Sequence, residues 1–357
     1  MVNWGALPTR FEGWSRGPAL AVIAALIALL GLATWSPGSA PAPKLRSSAS
    51  QPSDLQLYRD IIAGVEAGGD YYAVAAEAQR KNHYPLKPFF TFRLPTHATV
   101  YALFGERVMI VAIWLMCAGL MVAWWIRLKD CLPLPLLAAV MFLIAGGLGG
   151  MLQPQTGIFH ESWAALLLAM MITIRRPENP WPAILAGGLA LMIRELALPM
   201  ILAMGGLALL EKRWREAAGW ALIVVLFGMY MTIHAQWVSE VVRPEDLASQ
   251  GWSRMLGAQY ALKSIAKVTF GIRVSDAIGA VLLILSLFGW ASVKTGWALR
   301  GALLLAGYGA MLALFARADT FYWALIPAPL AYVGLAFLPK ILSDLAEAVQ
   351  RTPYRAT

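Results

Sequence analysis

Apolar runs with the length of a membrane-spanning helix recur along the whole chain. A spanning helix needs about 20 mostly apolar residues, and stretches close to that length are separated by short polar segments. Such runs lie at residues 18–35, 108–126, 133–152, 157–174, 217–237, 275–292, 299–316 and 320–338. The pattern predicts an all-α polytopic membrane protein, with residues 1–357 as a single integral-membrane domain.

The interval 182–210 is apolar as well, but it is too long for one span. As a single helix it would be about 43 Å long, against a hydrocarbon core of about 30 Å. It also carries Arg194, Glu195 and Pro199 in its middle, and a proline inside a helix removes a backbone hydrogen bond. We therefore expect two short helices that meet at Arg194-Glu195, which brings the total to ten spans.

The basic residues form short clusters between the apolar runs. The net charge is +9, and cytoplasmic loops of membrane proteins are enriched in Lys and Arg. With ten spans and both ends of the chain in the cytoplasm, five clusters fall on the inner side: Arg127/Lys129, Arg175/Arg176, Lys212/Arg213/Arg215, Lys294/Arg300 and Lys340/Arg351/Arg355. The positive charge is therefore a sign of topology, and no nucleic-acid partner is expected.

Two long segments, 36–107 and 238–274, then face outward. The first begins with a Ser/Pro/Ala linker, Ser36 to Pro52, and continues with a capping box of Ser53 and Gln56 that starts a helix. Asp54 lies toward the apolar side of this helix and Asp60 points away from it. That apolar side consists of Leu55, Tyr58, Ile61, Ile62 and Val65.

The rest of the two outer segments also has helical character. A second outer helix is predicted at Tyr71 to Arg80, followed by an irregular stretch over residues 83–95. The segment 238–274 contains a basic amphipathic helix, which we expect on the lipid headgroups as one wall of a cleft that admits lipid.

Composition narrows the function classes. A hydrophobic fraction of 59% with only 14% charged residues excludes a soluble globular domain. The sequence has no His/Cys metal spacing, no phosphate-binding or dinucleotide glycine motif, and no Asp-x-Asp pair in an outer loop. No nucleotide-binding site and no metal ligands are therefore assigned and no cofactor is expected, although a role for a divalent ion stays open.

Five short motifs occur in an order that is typical of one family. They are Asp54-Leu-x-x-Tyr58, Gly68-Gly-Asp-Tyr-Tyr72, Phe92-Arg-Leu-Pro95, Arg194-Glu195 between short helices, and Arg317 ahead of Tyr322-Trp323 and Pro327. Together they resemble the GT-C membrane glycosyltransferases, most of all the branch that uses polyprenyl-phosphate mannose. The resemblance spans most of the chain and implies a GT-C-like bundle of about ten transmembrane helices with amphipathic helices in the outer loops.

The resemblance also implies a catalytic carboxylate in the first outer loop, and Asp54 is the matching position. A sugar hydroxyl is a poor nucleophile, so its transfer needs a positioned base that takes the proton as the new bond forms. Asp60 is the alternative base. A third interpretation is that Asp54 merely favours the helix dipole from the first turn.

A lipid-phosphate leaving group gains negative charge as the sugar departs, so the site also needs cations. Arg194 and Arg317 are the candidates. An arginine at bilayer depth is costly, which makes Arg194 a functional hypothesis, whereas Arg317 lies at a helix end and rests more on the family pattern. Arg93, in the irregular stretch, is a third candidate. A structural ion pair with Glu195 is the alternative for Arg194. Residues expected to line the cavity are Tyr58, His83, Glu161 and Glu195.

The expected function is therefore an inverting transfer of a hexose, such as mannose, from a polyprenyl-phosphate donor to a lipid-linked or envelope-glycan acceptor. The expected partners are these two substrates and membrane lipids. The expected location is the bacterial cytoplasmic membrane, with the site facing the periplasm or the exterior. The alternatives are a lipid or solute transporter or flippase, which would also carry intramembrane charges, and a non-catalytic accessory subunit of envelope-glycan assembly.

Overall fold

The computed structural model describes residues 7–34, 53–252 and 254–351, and within these ranges the chain is built from helices. The extended pairing seen there amounts to two isolated bridges, so the expected all-α class is confirmed. The expected linker Ser36 to Pro52 lies outside the described residues. The helices are α1 (Arg16–Thr34), α2 (Asp54–Glu66), α3 (Tyr71–Lys81), α4 (Pro95–Phe104), α5 (Glu106–Leu128), α6 (Leu134–Leu148), α7 (His160–Ile174), α8 (Trp181–Ile193), α9 (Leu198–Leu210), α10 (Trp214–Val241), α11 (Gly257–Lys267), α12 (Asp276–Ser292), α13 (Gly296–Phe315) and α14 (Leu338–Gln350).

Six helical segments in the described part of the chain are long and apolar enough to cross a membrane. They are Arg16–Thr34, Glu106–Leu128, Leu134–Leu152, Trp214–Val241, Gly296–Phe315 and Ala328–Gln350. Four shorter apolar helices accompany them: His160–Ile174, Trp181–Ile193, Glu195–Leu210 and Asp276–Ser292. Large apolar side chains on the outside of the bundle, such as Leu115 and Phe142, are exposed, as expected for surfaces in contact with lipid. The chain is an integral membrane protein.

The break expected inside 182–210 is confirmed. Helix α8 ends at Ile193, a 3-10 turn covers Glu195–Ala197, and α9 begins at Leu198. Arg194 itself has an extended backbone, with φ −149° and ψ 115°. Pro199 follows in the first turn of α9, where a missing backbone N–H is tolerated.

The last expected span, 320–338, is corrected. Instead of one α-helix, this stretch forms three short 3-10 turns, Phe321–Leu325, Ala328–Leu330 and Val333–Phe337. The last two of these turns and α14 together make up the apolar segment Ala328–Gln350. Prolines at 327 and 329 lack the N–H groups that a continuous helix would need there. The turns are almost fully buried, so their irregular backbone is surrounded by protein.

Helices α2, α3 and α4 form a small core of their own beside the spanning bundle. Helix α2 begins where the sequence predicts, with the Ser53 hydroxyl accepting a hydrogen bond from the Gln56 N–H, and α3 covers the expected second helix. The sequence did not predict α4. The buried residues of this second core include Leu57, Ile61, Tyr72, Phe92 and Ala98, with Val238 from the end of α10.

The basic loops meet at the opposite end of the bundle. Arg175 follows the C-terminus of α7, binds Glu216 at 2.6 Å and receives a hydrogen bond from Arg127 on its carbonyl. Arg300 and Arg175 share Glu211, each at 2.9 Å. Since Glu161 and Arg175 are separated by the length of α7, about 21 Å at the helical rise, this basic end is far from the break at Arg194.

Candidate functional site

The first turn of α2 presents Asp54 to the interior of the protein. The cap by Ser53 fixes where the helix begins, and Asp54 Oδ1 accepts a hydrogen bond from the Tyr84 hydroxyl at 2.5 Å. Asp60 instead accepts a hydrogen bond from the Gln56 side chain at 2.7 Å on the outer face of the helix. Of the two candidate bases, Asp54 therefore lies inside the site and Asp60 outside it.

Arg93 is the residue that connects the parts of the site. Its Nε donates to the Tyr58 hydroxyl at 3.1 Å, and one Nη donates to the Tyr322 hydroxyl at 3.4 Å. Its other Nη lies 3.9 Å from Glu195 Oε1. Burial raises the pKa of Tyr58, so this hydroxyl stays neutral and accepts from the guanidinium. The extended segment before α4 is held in place by the Tyr71 hydroxyl, which donates to the Arg93 carbonyl at 2.6 Å.

Arg194 lies behind Arg93 and is paired with two carboxylates. Its Nε binds Glu161 Oε1 at 2.6 Å, and its Nη1 contacts Glu195. Arg194 and Glu161 are 1% and 0% exposed, which makes this a fully buried ion pair. Burying a charge is favourable only when it is paired and hydrogen-bonded, and both carboxylates are needed to balance Arg194 and its neighbour Arg93.

Arg317 is also paired with a carboxylate of the protein, that of Asp319. It binds Asp319 through two nitrogens, at 3.0 Å and 3.2 Å, and its guanidinium carbon lies 5.8 Å from the centre of the Trp252 ring. The Tyr260 hydroxyl of α11 donates to the Arg317 carbonyl at 2.8 Å. Arg317 is thus held between the end of α13 and the second outer segment.

A small polar pocket of about 70 Å³ lies where these side chains converge. The pocket is lined by Asp54, Tyr58, Tyr84, Arg93, Arg317, Asp319 and Tyr322, among others. The formal charges of the lining residues sum to zero, because two arginines are offset by two aspartates. Hydroxyl, carboxylate and guanidinium groups on an aromatic wall are suited to a polyhydroxylated ligand.

A larger, mainly apolar cavity of about 740 Å³ lies next to this polar pocket. The apolar cavity is lined by Ser53 and Leu55 from the start of α2, by the turn 267–273, and by Phe159, Phe321 and Tyr322, among others. Tyr322 lines both spaces. The first turn of α2 also belongs to both, since Asp54 faces the polar pocket and its two chain neighbours face the apolar cavity.

Most of the sequence-predicted site residues come together in space. Asp54, Tyr58, Arg93 and Arg317 line the polar pocket. Glu161, Arg194 and Glu195 form the charged group behind Arg93. The expected place of His83 in the cavity is corrected, because His83 follows the end of α3 with φ 53° and is exposed.

Sequence reasoning missed Tyr84, Asp319 and Trp252. Tyr84 lies in the irregular stretch after α3, where the pattern of residues gives no direction for a side chain. Asp319 is two residues after Arg317, and this spacing was a usable signal for an ion pair. Trp252 lies in the segment 238–274, for which only a contact with lipid headgroups was expected, whereas it packs over the Arg317 guanidinium.

Within the described ranges, no group of three or more His, Cys, Asp or Glu residues is placed to hold a metal ion. Comparison of the chain with family models, with curated proteins and with solved structures finds no match. The site is therefore interpreted from its own geometry.

Proposed function

We propose that the protein is a membrane glycosyltransferase that moves a hexose from a polyprenyl-phosphate donor to an acceptor hydroxyl, with Asp54 as the general base. One observation carries the proposal: Asp54 and Tyr322 stand at the boundary between a polar pocket and an apolar cavity. A lipid-linked sugar needs this combination, because its chain must be kept from water while its sugar meets polar groups.

The hydrogen bond from the Tyr84 hydroxyl orients the Asp54 carboxylate. It occupies Oδ1, whereas Oδ2 has no hydrogen-bond donor among the described residues. In the proposed reaction Oδ2 takes the proton of the acceptor hydroxyl, and the acceptor oxygen attacks the anomeric carbon of the donor. The bond from that carbon to the phosphate oxygen breaks, and the polyprenyl phosphate leaves with the electron pair. A single displacement of this kind inverts the configuration at the anomeric carbon.

The two ends of the bundle support an orientation in the membrane. Arg127, Arg175 and Arg300 gather at the basic end, and clusters of this kind favour the cytoplasmic side. The site at the other end would then face the periplasm or the exterior. A polyprenyl carrier can present an activated sugar on that side, where cytoplasmic nucleotide sugars are absent.

The test compares Asp54→Asn with Asp60→Asn, two equivalent changes in the same helix. The purified protein in detergent is given radiolabelled polyprenyl-phosphate hexoses, one sugar at a time, with total membrane lipid as the source of acceptors. Release of free sugar to water is measured as well, so that the readout does not depend on the acceptor. We expect Asp54→Asn to lower the rate by about 10²- to 10⁴-fold and Asp60→Asn to leave it nearly unchanged. An Asp54→Asn variant with the wild-type rate would remove the proposed base, and a wild-type protein inactive with every donor would contradict the function.

A further inference from the structure

The arginines that the sequence singles out for phosphate binding are already neutralised inside the protein. Arg194 is paired with Glu161 and Glu195, Arg317 is paired with Asp319, and Arg93 shares Glu195. With Asp54 as a further negative charge, the polar pocket and the groups behind it offer no excess positive charge. A phosphate placed there would have to compete with internal carboxylates.

The residues that line the apolar cavity, by contrast, carry an excess of positive charge. Two of its lining residues, Lys267 and Arg273, are cations, and none of its lining residues is acidic. Across the described residues, neither cation forms an ion pair or a side-chain hydrogen bond, in contrast with Lys263 on the same helix, which binds Asp276 at 2.6 Å. An apolar cavity with two unpaired cations fits an amphiphile whose headgroup is an anion.

The backbone of the turn 267–273, which carries the two cations, is held in place by contacts with neighbouring segments. The Thr269 hydroxyl and the Tyr332 hydroxyl are 3.1 Å apart, which ties the turn to the buried segment before α14. A side chain at Gly150 would collide with the Val268 carbonyl, and one at Gly271 would collide with the Tyr332 hydroxyl. These close approaches fix the backbone between Lys267 and Arg273, so both side chains extend from fixed points on one wall of the apolar cavity.

We propose that Lys267 and Arg273 bind the phosphate of a polyprenyl-phosphate lipid whose chain occupies the apolar cavity. The assignment rests on the proposed function for the identity of the lipid, and it replaces Arg194 and Arg317 as phosphate ligands. Tyr322 lines the same cavity and the polar pocket, so a sugar attached to this phosphate would extend past Tyr322 toward Asp54. The leaving group and the base then lie on different sides of the transferred sugar, as an inverting displacement requires.

Binding of radiolabelled farnesyl phosphate to the purified full-length protein in nonionic detergent tests the assignment without any turnover. Unlabelled farnesyl phosphate should compete. Farnesol and inorganic phosphate at the same concentration should compete far less, since farnesol lacks the phosphate and inorganic phosphate lacks the apolar chain. The double variant Lys267→Gln/Arg273→Gln should weaken binding by about tenfold or more, because two charge-assisted hydrogen bonds are lost. The matched control is Lys263→Gln/Arg254→Gln, which removes the same charge from the same outer segment away from the cavity, and it should change binding less than about twofold. Thermal stability of each variant confirms folding.

The assignment is overturned by no saturable binding to the wild type, by an equal loss in both double variants, or by undiminished binding in Lys267→Gln/Arg273→Gln. A loss in Arg317→Gln as large as in that double variant would return the phosphate to the polar pocket and would also contradict it. Saturable binding that depends on Lys267 and Arg273 supports the assignment even if no donor is turned over, in which case the proposed function fails alone. Normal binding with no transfer in Asp54→Asn supports both.

Discussion

The buried ion pair between Glu161 and Arg194 gives a quantitative prediction about stability. Both side chains are almost fully buried and lie 2.6 Å apart, whereas Glu195, the second partner of Arg194, is 25% exposed. Removing one partner of a buried pair leaves an uncompensated charge and costs about 3–5 kcal/mol. A partly exposed partner contributes about 1 kcal/mol or less. We therefore expect Glu161→Gln to lower the free energy of unfolding by about 3 kcal/mol and Glu195→Gln by about 1 kcal/mol.

A double variant separates the pair from other effects of the substitutions. Glu161→Leu and Arg194→Met alone should each cost about 3–5 kcal/mol, while the two together should come within about 2 kcal/mol of the wild type, because no unpaired charge is left behind. The assay is reversible unfolding in mixed micelles with increasing dodecyl sulfate, followed by circular dichroism. If the losses of the two single variants simply add in the double variant, the two charges do not stabilise each other and the reasoning is refuted.

Three further predictions concern other parts of the protein. Burial lowers the pKa of His97 from 6.5 to about 4, so the unfolded chain binds more protons between these values. The melting temperature should therefore fall as the pH falls from 6.5 to 4, and less so in His97→Gln; equal pH profiles would contradict this. Gly334→Ala should lower stability by about 1–3 kcal/mol, since its Cβ would collide with a backbone carbonyl of α12. Gly228→Ala, which meets open space on α10, is its control and should be neutral or stabilising in the same unfolding assay. The hydrogen bonds from Arg80 hold the pKa of Asp246 at about 2, so Asp246→Asn should weaken the outer helices by about 1–3 kcal/mol, seen as faster amide exchange in α3; unchanged exchange would contradict it.

Local signals in the sequence were enough for two of the elements that carry the site, the start of α2 and the break between α8 and α9. Ser53 predicts the start of α2 because its side chain can cap the first turn, and the structure shows this cap. The break at Arg194 followed from length, since one helix over 182–210 would exceed the bilayer. These features depend on residues that are close in sequence, which is why they could be predicted.

The long-range contacts of the site could not be predicted. Glu161 reaches Arg194 across 33 positions, and Arg93 reaches Tyr322 across 229. Nothing in the local pattern around these residues specifies a partner so far away. The segment 320–338 shows the opposite difficulty: its hydropathy fits a span, but buried prolines divide it into short turns whose polar backbone is covered by neighbouring helices.

The paired charges between α7 and α8 have a consequence for biogenesis. A charged side chain without a partner is costly in the hydrocarbon region, and each of these two helices carries one at the end near the break, Glu161 at the start of α7 and Arg194 at the end of α8. Each helix would therefore be less stable in lipid without the other. The translocon should therefore release the two as a preassembled hairpin, with the ion pair already closed, so that the membrane never receives either charge alone.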